Sequence, residues 1–277
     1  MSDKQIYPVS PTLSKETLID ESTYQSMYTH SIKQPLSFWE EQAKKFLHWS
    51  VPWNTICTSD FLRGNVRWFD GGKLNVATNC IDRHLSERSD QAALLWEGDD
   101  PQNDEVISYS ELHNNVSRFG NLLREQGVSK GDRVCIYLPM IPEAVFAMLA
   151  CARIGAVHSV VFAGFSPESL KDRILDADCR VVITAAEGAR GGKRIPLKAN
   201  VDQALKSCAA VHSCIVVNRG ASPVHWVEGR DVSYERAIGD VDTYCKPEEM
   251  DAEDPLFVLY TSGSTGKPKG VVHSTGG

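Results

Sequence analysis

The sequence has no C-x-x-C pair, and none of its eight cysteines stands with a histidine at a zinc-like spacing. Cys135 and Cys151 lie in apolar runs, which favours buried thiols in a reducing compartment. The longest uninterrupted apolar stretch, residues 144–152, is far shorter than the roughly 20 residues that cross a bilayer. The polar, mixed-charge first thirty residues do not resemble a secretory signal. These absences predict a cytoplasmic protein without metal centre or membrane contact.

The sequence has fewer positive than negative side chains, since the formal net charge is -7 and the pI is about 5.6. The surface as a whole therefore offers no general attraction to nucleic acid, and any basic site must be local. The sequence has no internal repeat and no low-complexity tract. Its 42% hydrophobic content is sufficient for a globular core.

The pattern of apolar and polar residues changes near residue 75. Residues 1–75 show one helical period, at 36–49, and are interpreted as an N-terminal extension that wraps a larger domain. From residue 76 onward, apolar strands such as 132–139 and 180–186 alternate with capped helices such as 166–179. Strands that are apolar on both faces predict an α/β fold of layered parallel sheets covered by helices.

The segment "YTSGSTGKPKG", residues 260–270, combines glycines, hydroxyl side chains and two lysines directly behind an apolar run. Converging backbone N–H groups and lysine charge indicate a phosphate-binding loop. Pro268 stands where a Walker A loop requires Ser or Thr, and the G-x-S-x-G pattern of serine hydrolases is absent. The short β-branched "GVVHS" that follows predicts strand, loop and strand.

Residues 261–270 resemble the signature loop of the AMP-forming acyl-CoA synthetases, luciferases and peptide-synthetase adenylation domains. Further stretches, among them "WFDGGKLNVATNCIDRHL", "FAGFSPESL" and "EGARGGKRIPLKANVD", resemble the N-terminal portion of the acetyl-CoA synthetase family. The resemblance runs from about residue 15 to the last residue. It implies that residues 76–277 are an incomplete AMP-binding large domain, truncated after the phosphate loop.

The resemblance implies an AMP-forming acetate–CoA ligase. Acetate would attack ATP to give acetyl-AMP and pyrophosphate, and CoA would then give acetyl-CoA and AMP. ATP and CoA would be substrates, with Mg²⁺ arriving with ATP. Two alternatives stay open: a propionyl-CoA or other short-chain synthetase, and a truncated non-catalytic protein that binds a nucleotide or a partner.

The resemblance also implies two groups of site residues. The ATP phosphates would contact Thr261, Ser262, Gly263, Ser264, Thr265, Gly266, Lys267 and Lys269. CoA would contact Gly164, Arg190, Gly191, Gly192, Lys193 and Arg194. The family commonly has Arg where this chain has Lys193, and lysine lacks the bidentate fork of arginine. Without the resemblance, a basic stretch at 187–198 is typical of a solvated surface loop.

No residue of this chain is assigned a catalytic role. His273 is interpreted as structural and Trp96 as a core residue. The carboxylate pocket, the adenine contacts and the C-terminal domain with its adenylation lysine would belong to a missing C-terminal part.

We therefore expect the 277-residue polypeptide to catalyse neither half-reaction alone. Acetate-dependent ATP–pyrophosphate exchange measured on this polypeptide should equal that of a boiled control. Exchange well above the control would contradict the expectation.

Overall fold

The computed structural model describes residues 7–100, 102–220, 224–261 and 268–277. The chain forms two compact units, Met1–Leu47 and His48–Gly277. In the described ranges, no helix is long and apolar enough to cross a membrane.

The first unit consists of helices α1 (Pro11–Glu16), α2 (Glu21–Lys33) and α3 (Pro35–Phe46). The carboxylate of Asp20 caps α2 by accepting a hydrogen bond from the backbone N–H of Thr23. The buried ring of Phe38 on α3 packs edge-on against His30 of α2, with 5.6 Å between ring centroids. The helix predicted at 36–49 is thus present and ends three residues earlier than expected.

The second unit contains strands and helices in alternation. Its strands are β1 (Thr55–Asp60), β2 (Asn65–Asp70), β3 (Lys73–Leu74), β4 (Ala92–Glu97), β5 (Asp104–Ser108), β6 (Arg133–Tyr137), β7 (Val157–Val160), β8 (Val181–Ala185), β9 (Gly188–Arg190), β10 (Lys193–Ile195), β11 (Ser213–Val217), β12 (Asp231–Ser233), β13 (Met250–Asp251), β14 (Pro255–Thr261) and β15 (Lys269–Ser274). Its helices are α4 (Val76–Cys80), α5 (Leu85–Arg88), α6 (Tyr109–Glu125), α7 (Pro142–Ile154), α8 (Pro167–Asp176), α9 (Leu197–Leu205) and α10 (Tyr234–Asp240), with a 3₁₀ turn at Asp82–His84.

The main sheet has the strand order β12-β11-β8-β6-β7-β14-β15. All neighbours are parallel except β14 and β15, which are antiparallel. A parallel return after β14 would need a crossover of about a dozen residues, and only residues 262–268 separate the two strands. The α/β class predicted from the sequence is confirmed, with a mixed rather than wholly parallel sheet.

Helices cover both faces of the main sheet. The chain moves along the sheet in one direction from β6 to β7 through α7, and in the other from β7 to β8 through α8. Right-handed crossovers therefore place α7 and α8 on opposite faces. The adjacent strands β6 and β7 thus form a topological switch point, where open α/β sheets bind ligands beyond the carboxyl ends of the strands.

Local signals explain the covering helices. Ser108 and Glu111 form a capping box at the start of α6, in which each side chain accepts from the other residue's backbone N–H. Helix α7 begins with Pro142 and ends at Gly155, whose φ of 73° is the left-handed conformation of a C-terminal cap. Ser166 caps α8 by accepting from Ser169 N–H at 3.3 Å. The capped helix that the sequence predicted at 166–179 is thus present as α8.

Residues 48–75 belong to the second unit. Strand β3 pairs antiparallel with β13, and Lys73 also bridges Val51. The compact units accordingly divide after Leu47. The division near residue 75 stays a prediction about domains.

His158 on β7 is a buried imidazole in the centre of the sheet. It is 8% exposed, its ring lies 5.5 Å from the ring of Phe257, and within the described residues its Nδ1 has no hydrogen-bond partner. Burial disfavours the imidazolium and lowers the pKa of His158 to about 4.

We expect acid to weaken the fold through His158. The unfolded imidazole binds protons below about pH 6.5, so its contribution to stability is complete above that value and is lost as pH falls through 4. The loss reaches about 3 kcal/mol at pH 4. Urea unfolding between pH 7 and pH 4 should show a smaller loss for His158→Leu than for the parent protein.

His212→Gln serves as the matched control, because His212 is exposed. It should keep the pH dependence of the parent protein. Equal pH dependence for His158→Leu and the parent would refute the assignment.

Candidate functional site

A cavity of about 580 Å³ opens at the switch point. Its walls come from residues 138–141, which follow β6, and from residues 160–164, which begin at the last residue of β7. Arg190 and Arg219 also line it, beside the apolar side chains of Ile195 and Leu197. An apolar cavity with a few converging polar groups is the usual form of a small-molecule site.

The basic stretch expected as a surface loop is a two-stranded hairpin, β9–β10. Arg190 pairs with Lys193 and Gly188 with Ile195. Gly191 and Gly192 form the turn with φ values of 55° and 73°, which matches a type I′ turn that requires positive φ at both central residues. A glycine pair between short β-prone segments was the available sequence signal for this hairpin.

The structure brings Gly164 and Arg190 together, as the proposed CoA site requires. A Cβ on Gly164 would lie 3.0 Å from Arg190 Nη1 and would clash with Phe162 Cε1. The Arg190 guanidinium lies over the Phe162 ring at 4.8 Å from its centroid. Because Gly164 has no side chain, the Arg190 guanidinium and the Phe162 ring can pack together beside it. Arg190 is exposed.

Arg194 differs from its neighbours on the hairpin. Its Nη1 donates to Oε1 of Glu187 at 2.9 Å, and the Glu187 side chain is 9% exposed. The charge of Arg194 is thus partly neutralised at the base of the hairpin, while Lys193 is exposed near the turn. Of the predicted CoA residues, Arg190 and Lys193 are placed best to meet an anionic ligand.

Tyr137 connects the carboxyl end of β6 to the elements around the cavity. Its hydroxyl donates to Phe165 O at 2.7 Å and accepts from Asn200 Nδ2 at 3.3 Å. Burial raises the pKa of the Tyr137 phenol, which therefore stays a donor at neutral pH. These hydrogen bonds link the segment after β7 to α9, which follows the hairpin.

Of the eight predicted phosphate-binding residues, the structure describes Thr261 and Lys269. Thr261 and Lys269 pair across β14 and β15. Because β14 runs parallel to β7, Thr261 lies at the same edge of the sheet as the cavity. Ser262, Gly263, Ser264, Thr265, Gly266 and Lys267 lie outside the described residues.

A cluster of buried and half-buried charges that was not predicted from the sequence lies behind the hairpin. Lys198, whose side chain is 2% exposed, contacts Asp202 Oδ1 at 2.7 Å and Asp231 Oδ2 at 2.8 Å. Arg230 contacts the same two carboxylates at 2.5 and 2.7 Å. The cluster ties α9 to β12. A lysine and an aspartate four residues apart were the only local sign of it.

The opposite charges in this cluster hold each other ionised. Burial alone would raise the pKa of Asp231, but hydrogen bonds from Arg230 and Lys198 outweigh it and keep that pKa below its ordinary value. Burial alone would lower the pKa of Arg230, and the carboxylates of Asp231 and Asp202 raise it instead. The cluster is therefore stable only when both signs are present.

Trp96, predicted to be a core residue, is only partly buried and also lines the cavity, whereas His273 makes the structural contact expected of it. Trp96 packs partly buried against the core, and its indole N–H donates to Met140 O at 2.8 Å. The His273 ring stacks on Phe257 with centroids 4.4 Å apart. Within the part of the chain that the structure describes, no group of three or more His, Cys, Asp or Glu could hold a metal ion.

Comparison with known proteins identifies the class. A family model described as "AMP-binding enzyme" matches residues 81–277, and one described as "Acetyl-coenzyme A synthetase N-terminus" matches residues 24–80. The chain therefore belongs to the AMP-binding enzyme family.

Relatives within the family confirm the resemblance to acetyl-CoA synthetase. The chain is 58% identical to acetyl-coenzyme A synthetase of Magnetococcus marinus and 59% identical to acetyl-coenzyme A synthetase 2 of Pseudomonas putida. Both matches cover all of this chain and 43% of the relative. The chain thus spans less than half the length of these curated relatives.

A solved structure shares the fold. Acetoacetyl-CoA synthetase from Streptomyces lividans matches 92% of this chain and 38% of its own, with a TM-score of 0.82 and 29% sequence identity. This likeness agrees with the mixed sheet and its covering helices being part of the large domain of an adenylate-forming enzyme.

Replacing Lys198 should destabilise the protein strongly. Lys198→Met leaves Asp231 buried with half of its cations, and breaking a buried ion pair typically costs about 3–5 kcal/mol. Urea denaturation would measure the free energy of unfolding. Lys206→Met is the control, since Lys206 is exposed at the end of α9. A loss as small as that of the control would contradict the role of the cluster.

Proposed function

We propose that the protein acts in the activation of acetate with ATP to acetyl-AMP and in transfer of the acetyl group to CoA. The observation that carries this proposal is 57–59% identity over the whole chain to acetyl-coenzyme A synthetases from several bacteria. The geometry supports it, because the segments assigned to ATP and to CoA begin at the same edge of one sheet.

Residues 261–267 and Lys269 are proposed to bind the ATP phosphates. Two anions meet when a carboxylate approaches ATP, and negative charge then accumulates on the departing pyrophosphate. Preorganised donors and cations stabilise such charge better than water does. Thr261 at the end of β14 pairs with Lys269 at the start of β15. The Thr261 hydroxyl and the Lys269 ammonium are therefore held by one pair of neighbouring strands.

The Gly188–Ile195 hairpin is proposed to bind the phosphorylated end of CoA. Arg190 and Lys193 face each other across the hairpin and supply two exposed cations. Gly164 keeps space beside Arg190, and the Phe162 ring offers an apolar surface there. Gly191 and Gly192 hold the turn, and Arg194 anchors the hairpin to Glu187.

Mg²⁺ is proposed to enter with ATP, because phosphate oxygens and waters satisfy much of its octahedral coordination. No residue of this chain is proposed to act as a catalytic acid, base or nucleophile. The contribution of this chain is binding, orientation and charge stabilisation.

Neutralising both lysines of the phosphate segment tests the proposal. In the full-length gene product, Lys267→Ala combined with Lys269→Ala should lower acetate-dependent ATP–pyrophosphate exchange by about 100-fold or more, in the range seen when transition-state donors are removed. Radiolabelled pyrophosphate incorporation into ATP measures the rate.

Lys206→Ala combined with Lys246→Ala is the control, since both lysines are exposed and lie outside the segment. This pair should leave exchange within about twofold of the parent. Undiminished acetyl-AMP formation by the Lys267/Lys269 variant would end the proposal.

A further inference from the structure

A continuous series of ring and guanidinium contacts begins at the hairpin. The Arg190 guanidinium lies 4.8 Å from the centroid of the Phe162 ring. Phe162 meets Phe165 edge to face, with centroids 5.5 Å apart and an interplanar angle of 82°. Both rings lie in the segment after β7 and remain partly exposed, at 48% and 39%. Phe162 and Phe165 thus connect Arg190 on the hairpin to the segment that directly precedes α8.

The series continues from α8 to β14. The Arg173 guanidinium lies 4.6 Å from the Phe165 centroid and 5.4 Å from the Tyr260 centroid. Arg173 is 7% exposed, and its Nη1 donates to Ser169 O at 2.7 Å. A buried guanidinium between two rings loses hydration and gains attraction to both ring faces. Arg173 is therefore the central contact of the series.

Tyr260 is fixed from its other end as well. Its hydroxyl donates to Asp176 Oδ2 at 2.6 Å, so α8 holds both the ring and the hydroxyl. Burial, with this hydrogen bond, raises the pKa of Tyr260, which keeps the phenol protonated as a donor. The next residue is Thr261, where the segment assigned to the ATP phosphates begins.

We propose that this series is a cation–aromatic ladder that couples the CoA hairpin to the strand end from which the ATP phosphate segment leaves. The ladder consists of Arg190, Phe162, Phe165, Arg173 and Tyr260. Its role rests on the proposed function, since the two ends gain their meaning from CoA and ATP. Arg173 and Phe165 are positioning residues that contact neither substrate.

The physical basis is a shared contact. A phosphate of CoA attracts the same guanidinium that stacks on Phe162, so ligand binding at Arg190 changes the first contact of the ladder. Each cation–π contact contributes modestly, and coupling through such packed networks typically changes affinity by about 2- to 30-fold. Coupling is reciprocal, so CoA bound at the hairpin must change ATP affinity by the same factor as ATP changes CoA affinity.

The sharpest test removes the guanidinium of Arg190, where the ladder begins, and is made in the absence of CoA. In the full-length gene product, Arg190→Gln should raise the KM for ATP in acetate-dependent pyrophosphate exchange by about 3- to 10-fold, with little change in kcat. CoA takes no part in this half-reaction, so the effect cannot come from weakened CoA binding. Arg236→Gln, an exposed arginine on α10, is the control and should leave the KM for ATP unchanged.

Arg173→Met tests the centre of the ladder. It should raise the KM for ATP similarly, and combining it with Arg190→Gln should add no further increase, because the path is already interrupted. Phe165→Leu, at a partly exposed position, repeats the test in case Arg173→Met unfolds the protein. Thermal unfolding of each variant separates loss of fold from loss of coupling.

The outcomes separate the two hypotheses. If Arg190→Gln behaves as Arg236→Gln does, or if the two ladder variants have fully additive effects, the ladder is overturned while the proposed function stands. If the parent protein shows no acetate-dependent exchange, the proposed function fails first. A raised KM for ATP with non-additivity supports the ladder.

Discussion

Parallel strands joined by right-handed crossovers must all end at one edge of their sheet, and the candidate site depends on this constraint. The segments after β6 and β7, the hairpin after β8 and the end of β14 are distant in sequence. The sheet nevertheless delivers them to a single edge. The reversal of direction between α7 and α8 then leaves the crevice in which the cavity lies.

Two kinds of charge serve this edge in different ways. Exposed cations on the hairpin, Arg190 and Lys193, are free to meet an anionic ligand. The buried Lys198 and the half-buried Arg230 are neutralised by carboxylates and fix the helix that follows the hairpin. Removing a charge from the first group should change ligand affinity, whereas removing one from the second changes the stability of the support.

The features that could be predicted from the sequence are those that interactions between neighbouring residues determine. Ser108, Ser166 and Gly155 mark helix ends through backbone geometry that involves only their own neighbours. Continuous apolar runs predicted buried parallel strands. In these places local preference and the final fold agree.

Contacts between distant residues could not be predicted in this way. Lys198 pairs with Asp231, and Arg173 stacks on Tyr260. The two residues of each contact lie far apart in the sequence, so no helical or strand periodicity relates them. The hairpin at 188–195 had a local signal, the glycine pair, but its basic composition suggested a solvated loop. Tertiary packing determines the two contacts, and no local pattern in the sequence singled out the four residues that make them.

The most direct measurement of the central claim is a crystal structure of the full-length gene product with CoA and a non-hydrolysable ATP analogue. The account predicts phosphate oxygens of CoA within hydrogen-bond distance of Arg190 and Lys193. It also predicts the nucleotide phosphates beside Thr261 and Lys269, at the same edge of the sheet. Density for either ligand away from this edge would contradict it.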